Sequence, residues 1–462
     1  WTEADSRLPE IEKLLRFRPE GYMWAPSYRN HHWDGWIKLT RKKGNRLRFP
    51  TGLIEYVQKN IPNADKWGVL DSRSVPPQAD IWPYCDKTLL SVTPDAMQED
   101  AIRKALKAGR GVIQMPTGSG KTVVEAALIA RLKRPTLVLV GKRDLLRQLH
   151  ERLEKWLGAP VGLVGEGNFT IHPVTVATYQ SVYLRLTDAP PDSAAWLAAF
   201  SVVVVDEGHH AQATTFEAVL KAMPRAYFRY AFSATPFKSG SKADLGTRLQ
   251  VMSWTGPLLT KVTAAETVES GRTVPADVTI VQYDPDEQAP ALNYAQEYES
   301  NIVFSAARNA AVVRLARRLA KRAPTLILIE RIEHGAMLSG PLDCPFLHGG
   351  KPKAERRRIL QAFGEGKFGL LVASKVADEG IDLPDIQYLI LAGATKAPHV
   401  QIQRIGRGTR KAEGKERLFV FDFDDPGRYL SSHSRKRRRT YEKEPSYTVI
   451  DATITELLAW LK

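Results

Sequence analysis

The sequence predicts an α/β protein: two tandem parallel-sheet lobes preceded by a small α+β N-terminal domain. Three observations carry this expectation. From about Thr88 onward, short apolar β-branched runs alternate with amphipathic helical stretches, the pattern of a parallel sheet covered on both faces. That alternation occurs twice in series, and 462 residues are more than one core comfortably holds. The first 86 residues lack the pattern and mix tryptophans with basic side chains instead. Expected boundaries are 1–86, 87–270 and 271–462.

In the N-terminal stretch, Trp24, Trp33 and Trp36 lie among Arg29, His31, His32, Lys38, Arg41, Lys42, Lys43, Arg46 and Arg48. WDGWIKLT followed by KKGN and RLRF reads as two short strands around a Gly-containing turn. TGLIEYVQKN reads as a short helix stopping before Pro62, and SVPPQADIWP (74–83) as a linker. The cluster has two readings. Lys and Arg could hold nucleic-acid phosphates while Trp stacks on bases, or the tryptophans could simply be the core of a small domain. Strand alternation assigns Trp33 to a core; Arg41, Lys42 and Lys43 are expected to bind.

The first lobe's buried strands are expected at 111–115, 136–140, 174–178, 201–206 and 230–235, with helices at GKTVVEAALIARLK and RDLLRQLHERLEKWL. The second lobe's are expected at 325–330, 368–374, 388–393 and 417–423, after a joining region around 237–300.

Composition narrows the class. The balance of 66 basic against 51 acidic residues leaves +15, which suits a polyanionic partner. The longest apolar run, Trp196 to Val205, is too short to span a bilayer, and no basic-then-apolar leader opens the chain. Cys85 and Cys344 are far apart and lack metal-ligand spacing, so no disulfide framework or zinc site is expected. A cytoplasmic location is expected, in a bacterial cell or a phage-infected host.

Met115-Pro-Thr117-Gly118-Ser119-Gly120-Lys121-Thr122 follows an apolar strand and opens a helix. A triphosphate needs this arrangement. The glycines let backbone N–H groups turn inward and the helix N-terminus adds positive potential. Lys121 can reach the terminal phosphates, and the Thr122 hydroxyl can hold Mg²⁺. Met115 stands where the strict pattern has Gly.

SVVVV runs straight into Asp206-Glu207-Gly208-His209. Beside a phosphate loop, Asp206 would hold Mg²⁺ through water and Glu207 would orient and deprotonate the attacking water. Gln401-Ile-Gln-Arg404-Ile-Gly406-Arg407-Gly-Thr-Arg410 places three arginines at three-residue steps, roughly along one helix face. An arginine set against a transferring phosphoryl group contributes roughly 10³–10⁵ in rate. The run Arg435–Arg439 (RKRRR) could also grip phosphates; a solvated helix face is the equal alternative.

Taken together, these motifs in this order resemble the superfamily 2 helicases over roughly residues 88–425. The resemblance implies RecA-like lobes, ATP and Mg²⁺ as cofactors, and DNA as partner. Gln98 in TPDAMQEDAI looks like the family's adenine-reading glutamine, and DEGH is similar to its DEAH-type box, with Gly208 replacing the usual Ala or Cys. Ser233-Ala234-Thr235 matches the motif coupling hydrolysis to strand movement, in which His209 and Gln401 would share. LHGG (347–350), ASKVADEGIDLP (373–384) and QIQRIGRGTR match the later motifs. By that correspondence Arg407 and Arg410 are arginine fingers, converging with Lys121 on one triphosphate. Asp382 becomes a nucleotide-ribose or coupling contact, Arg404 a nucleotide contact, and Arg143, Thr178, Gln180 and Lys375 strand contacts.

A narrower resemblance covers nearly the whole chain. YMWAPSYRNHHWDGWIKLTRKKGNRLRFPTGL and the tail FDFDDPGRYLSSHSRKRRRTYEKE are similar to phage UvsW-type helicases and their XPB-like relatives. It implies a monomeric motor that remodels branched DNA by reversing forks, migrating junctions and removing RNA from RNA–DNA hybrids. Two other classes stay open: the motor part of a restriction or repair machine, and a scaffold with a degenerate ATP site. Intact Lys121, Asp206, Glu207, Arg407 and Arg410 speak against the second.

Overall fold

The computed structural model describes residues 7–19, 21–44, 46–86, 88–187, 191–207, 214–234, 242–286, 291–374, 385–395 and 398–461. Residues up to Val262 form one compact unit, apart from Pro116–Ser119, which group with a second unit beginning at Thr263.

Small elements open the chain. Strand β1 (Arg16–Phe17) pairs antiparallel with β2 (Ile37–Lys38), and β3 (Arg41–Lys43) with β4 (Arg46–Arg48). Leu47 is fully buried while Arg46 and Arg48 beside it are exposed. Side chains alternate along a strand, so the outward face carries Arg46, Arg48 and their cross-strand partners Lys43 and Arg41. Lys42 pairs with Leu47 and belongs to the other face.

The core of this module is mainly aliphatic, with Phe17 inside it and Trp67 packed against its edge. Leu8, Ile11, Leu15, Phe17, Leu47 and Leu53 cluster with Leu249 and Met252 of the helix Lys242–Thr255. The expectation for Trp33 is thereby corrected. Trp33 is half-buried, stands outside that cluster, and donates from Nε1 to the Trp36 carbonyl at 2.9 Å. Trp36 lies beneath the guanidinium groups of Arg16 and Arg18, 4.5 and 4.8 Å from its ring. Docking on a neighbouring helix supplies the burial that the indoles were expected to supply. Two glycines permit the close approach: a Cβ at Gly52 would stand 2.0 Å from the Met252 carbonyl oxygen, and one at Gly246 2.2 Å from the Phe17 ring.

The first large sheet holds β5 (Arg110–Gln114), β6 (Thr136–Val140), β7 (Gly162–Gly165), β8 (Asn168–Thr170), β9 (Val174–Thr178), β10 (Val202–Asp206), β11 (Phe228–Ser233) and β12 (Leu258–Lys261). Their order is β12-β5-β11-β10-β6-β9-β7-β8, and only β7–β8 is antiparallel. Continuous apolar runs make such strands because both faces are covered. In β10, Val202 and Val204 feed one core and Val203 and Val205 the other.

The second sheet holds β13 (Ala276–Gln282), β14 (Thr325–Leu328), β15 (Phe346–Leu347), β16 (Leu370–Ala373), β17 (Tyr388–Leu391), β18 (Leu418–Phe423) and β19 (Tyr447–Thr453). All its pairings are parallel, in the order β15-β16-β14-β17-β18-β13-β19. Two parallel-sheet, RecA-like lobes and small N-terminal antiparallel sheets are therefore the architecture.

Two expectations need correcting. The stretch around 237–300 is not mere connector: it contains the helix Lys242–Thr255, β12, the helix Ala264–Glu269 and β13. Nor is the basic C-terminal segment a tail. Arg437 is buried in the helix Leu430–Glu442, with Nε 2.8 Å and Nη2 3.1 Å from the two carboxylate oxygens of Asp422. Arg438 pairs with Asp451 and Glu442. The acids at and after the end of β18 need counter-charges: this helix supplies Arg437 to Asp422, and Arg308 of the helix Ala306–Ala320 pairs with Asp425 at 2.6 Å.

Candidate nucleotide site at the carboxyl edge of the first sheet

Strands β5, β11 and β10 are adjacent, so their carboxyl ends, and the segments that leave them, are brought together. The phosphate loop leaves β5, the acidic pair closes β10, and β11 ends on Ser233. Ligands of open α/β sheets gather at this edge.

Gly118 and Gly120 have φ of 87° and 80°, conformations that suit glycine. The helix Lys121–Leu132 begins with no side-chain cap, so its first N–H groups keep the orphan donors that a phosphate accepts. Ser119 is buried, and its Oγ donates to the Pro116 carbonyl at 2.7 Å, holding the loop's turn. Thr117 and Thr122 are half-buried. The donor set and curvature fit a triphosphate.

Lys121 Nζ lies 3.5 Å from Glu207 Oε1. Asp206 Oδ1 accepts from the Glu207 N–H at 2.9 Å, and Ser233 Oγ donates to Glu207 Oε2 at 3.4 Å. Glu207 itself has φ of 54°. A non-glycine residue in the left-handed region is strained, and such strain gathers at functional sites. Here it turns the carboxylate back across the strand end toward Lys121.

Sequence reasoning missed Glu125. It lies one helical turn beyond Lys121, is 1% exposed, and neither carboxyl oxygen has a hydrogen-bond partner among the described residues. Burial, then the neighbouring Asp206 charge, raises its pKa well above the usual carboxylate range, against the pull of Lys121. The signal available was an acid inside the apolar helix TVVEAALIA.

The other expected residues are dispersed over both units. Gln98 is fully buried, and its Oε1 accepts from the Asp95 N–H at 3.1 Å in a capping box for the helix Ala96–Ala108. Arg143 opens the helix Arg143–Leu157 and is exposed. Gln180 Nε2 donates to the Gly141 carbonyl at 3.1 Å. Thr178 is buried, its Oγ1 donating to Ser181 Oγ at 2.8 Å, so it shapes the turn. In the second unit, Arg404 is buried and pairs with Glu330 at 2.8 Å. Gln401 is fully buried, and neither amide atom has a hydrogen-bond partner among the described residues. Arg407 is half-buried in the helix Pro398–Gly408, and Arg410 forms an isolated bridge with Thr273. His209, Thr235, Lys375 and Asp382 lie outside the described residues. No helix among the described residues is long and apolar enough to cross a membrane.

Comparison with known families now decides the class. The family described as "Type III restriction enzyme, res subunit" matches residues 91–238, and "Helicase conserved C-terminal domain" matches residues 307–412. The chain is a superfamily 2 helicase. Its use of ATP follows from that membership. Among relatives, the helicase is 29% identical to the "DNA 3'-5' helicase XPB" of Kineococcus radiotolerans over 371 residues, covering 77% of this chain and 64% of that protein. It is 23% identical to the "ATP-dependent DNA helicase uvsW" of Enterobacteria phage T4 over 454 residues, covering 91% of this chain and 87% of that protein. In fold it is similar to Saccharomyces cerevisiae Dbp5 bound to RNA and ADP BeF3, with a TM-score of 0.56, 18% identity, and coverage of 80% of this chain and 93% of that one.

Proposed function

We propose that this ATP-dependent DNA helicase or translocase remodels branched DNA, reversing forks, migrating junctions and clearing RNA from hybrids. The observation that carries the motor assignment is the Lys121–Glu207–Ser233 cluster at the carboxyl ends of three adjacent strands, with Lys121 Nζ 3.5 Å from the Glu207 carboxylate. Lys121 and the loop N–H groups bind the terminal phosphates. Glu207 takes a proton from the attacking water as it adds to the γ-phosphorus, and ADP leaves. Thr122 and Asp206 are the residues that would hold Mg²⁺, which when bound neutralises charge on the phosphates. Arg407 and Arg410 stabilise the charge on the transferred phosphoryl group. Ser233, bonded to Glu207, registers the change and passes it to the strand-contacting helix starts that carry Arg143 and Gln180.

Support for DNA comes from the relatives' names and the basic excess of +15. Support for branched substrates comes from the N-terminal hairpin and from the resemblance of both ends of the chain to UvsW-type helicases. Opening DNA costs a mean of roughly 1.4 kcal/mol per base-pair step. Branch migration re-forms each pair it breaks, and so suits a motor of this kind.

One panel tests both levels: ATPase and strand displacement on single strands, forks, four-way junctions and RNA–DNA hybrids. The expected result is DNA-stimulated hydrolysis with the fastest turnover on forks and junctions. Equal rates on every substrate would remove the branched-DNA reading, and no stimulation by any DNA would remove the motor reading. Arg41→Glu with Lys43→Glu probes the hairpin better than deleting residues 1–86, because deletion uncovers Leu249 and Met252.

A further inference from the structure

A second site lies at the opposite, amino-terminal edge of the same sheet. A cavity of about 1380 Å³ is lined there by Arg110, which begins β5, by Arg229 near the start of β11, and by Ser201 and Pro135, which precede β10 and β6. The N-terminal module closes one side through Arg41 and Arg48, and Ser72–Pro77 contributes another wall. The strands between are 5–6 residues long, placing this edge about 17–20 Å from the phosphate loop.

Its chemistry is unlike an ordinary crevice. Among the described residues, eight Lys or Arg line it against a single acid, Glu217, and that acid is held by Lys221 at 2.6 Å. Arg110 donates to the Thr255 and Trp254 carbonyls and to Thr51 Oγ1, and Arg229 donates to the carbonyls of Leu220, Met223 and Ala226. All these acceptors are neutral, so among the described residues two largely buried cations sit side by side without a carboxylate in their hydrogen-bond sets. The strain registers in their acidity: burial, then the Arg229 and Arg73 charges, pulls Arg110 down to about 10, and burial, then Arg73, does the same to Arg229.

Two independent observations point the same way. Ser201 is 8% exposed, lines the cavity, and its hydroxyl has no hydrogen-bond partner among the described residues, so it is available to a water or to a ligand oxygen that reaches it. In the hairpin, Arg41 faces Arg48 directly across the ladder. Like charges in that register are destabilising, and an anion lying over them removes the penalty.

The geometry points to a second nucleic-acid backbone site: phosphodiester groups of a DNA strand run over the outward hairpin face and into this cavity. A polymer fits better than a small anion, because the volume exceeds the about 300–1,000 Å³ of small-molecule pockets and the charge continues outward along the hairpin. The inference rests on the DNA-helicase reading above and adds where a second strand or arm is held.

The test uses the full chain with its phosphate loop saturated with ADP. Hydrogen exchange is measured with a 20-nucleotide single strand, a fork, or inorganic tripolyphosphate at equal phosphate concentration. DNA should slow exchange at 198–203 and 226–230. Binding of the same DNA is titrated against salt for the wild type and for Arg41→Gln/Arg48→Gln/Arg225→Gln. Loss of three phosphate contacts should reduce the log–log salt slope by about 2. Unchanged exchange and slope in a chain whose ATPase DNA still stimulates would overturn this site and leave the motor reading standing. Protection by tripolyphosphate alone would assign the cavity to a free polyphosphate and overturn it too. No DNA-stimulated ATPase and no DNA binding would defeat both readings.

Discussion

Replacing Arg437 with Ala should destabilise the second unit severely without touching nucleic-acid affinity. Arg437 and Asp422 are each 1% exposed. The guanidinium spans both carboxylate oxygens at 2.8 and 3.1 Å and donates to the Phe423 carbonyl at 3.0 Å. Without it, Asp422 keeps the Tyr441 hydroxyl at 2.8 Å and the Phe423 N–H at 2.9 Å, but no cation bonded to it in that interior. Removing one partner of a buried pair costs about 3–5 kcal/mol. For a unit of this size each kcal/mol shifts Tm by about 2–4 °C, giving a drop of about 6–20 °C. Differential scanning calorimetry of the full chain reads this directly. Arg439→Ala, on the exposed side of the same helix, should stay within about 0.5 kcal/mol, and Arg437→Leu with Asp422→Asn should recover part of the loss. A fall of under about 1 kcal/mol in Arg437→Ala, accompanied by weaker DNA binding, would refute the structural role and restore the phosphate grip.

Glu207→Gln should lower DNA-stimulated hydrolysis by roughly 10²–10⁴ while retaining ATP binding, measured by steady-state turnover and equilibrium dialysis; unchanged turnover would remove Glu207 as the base. Lys121→Ala should lose both turnover and nucleotide affinity, and tight ATP binding in that variant would count against the phosphate cradle. His334 is buried, its Nε2 2.9 Å from Asn309 Oδ1, and burial, then the Arg308 charge, pushes its pKa down to about 3. The unfolded chain protonates this group first, near pH 6.5. Its contribution is therefore complete above about pH 6.5 and drains as pH falls toward about 3. His334→Gln should flatten that acid limb in a Tm-against-pH series, whereas an equally steep limb would contradict the assignment. Gly52→Ala would set a Cβ 2.0 Å from the Met252 carbonyl oxygen. It should cost about 1–3 kcal/mol and speed hydrogen exchange at both 51–60 and 246–255, where slow exchange would mean the docking relaxes freely.

The central strands were legible because a fully buried parallel strand is a continuous apolar run. Those expected at 136–140 and 174–178 occur with the same bounds, and the other seven differ by one or two residues at one end or both. β12 and β19 escaped because they are edge strands with polar positions, as LLTK and YTVIDAT show. Trp33 was misjudged because alternation says which residues share a face, not what covers it; the cover, Leu249 and Met252, lies some two hundred residues downstream. RKRRR gives five consecutive cations, and nothing local marks Arg437 as the one turned inward. Only the placement of Asp422 at the end of β18 does. Glu125 could have been flagged, since a carboxylate in an apolar helix face one turn from Lys121 must neutralise or find a cation.

The glycine-mediated seat of the N-terminal module has a mechanical consequence. At Gly52 the contact is main chain against main chain, with no long side chain between to flex and absorb a push. The hairpin therefore travels as a stiff bracket on the lobe that carries the phosphate loop. A tug on DNA held at Arg41 and Arg48 would reach the sheet almost undamped, and load on the track would be felt at the engine.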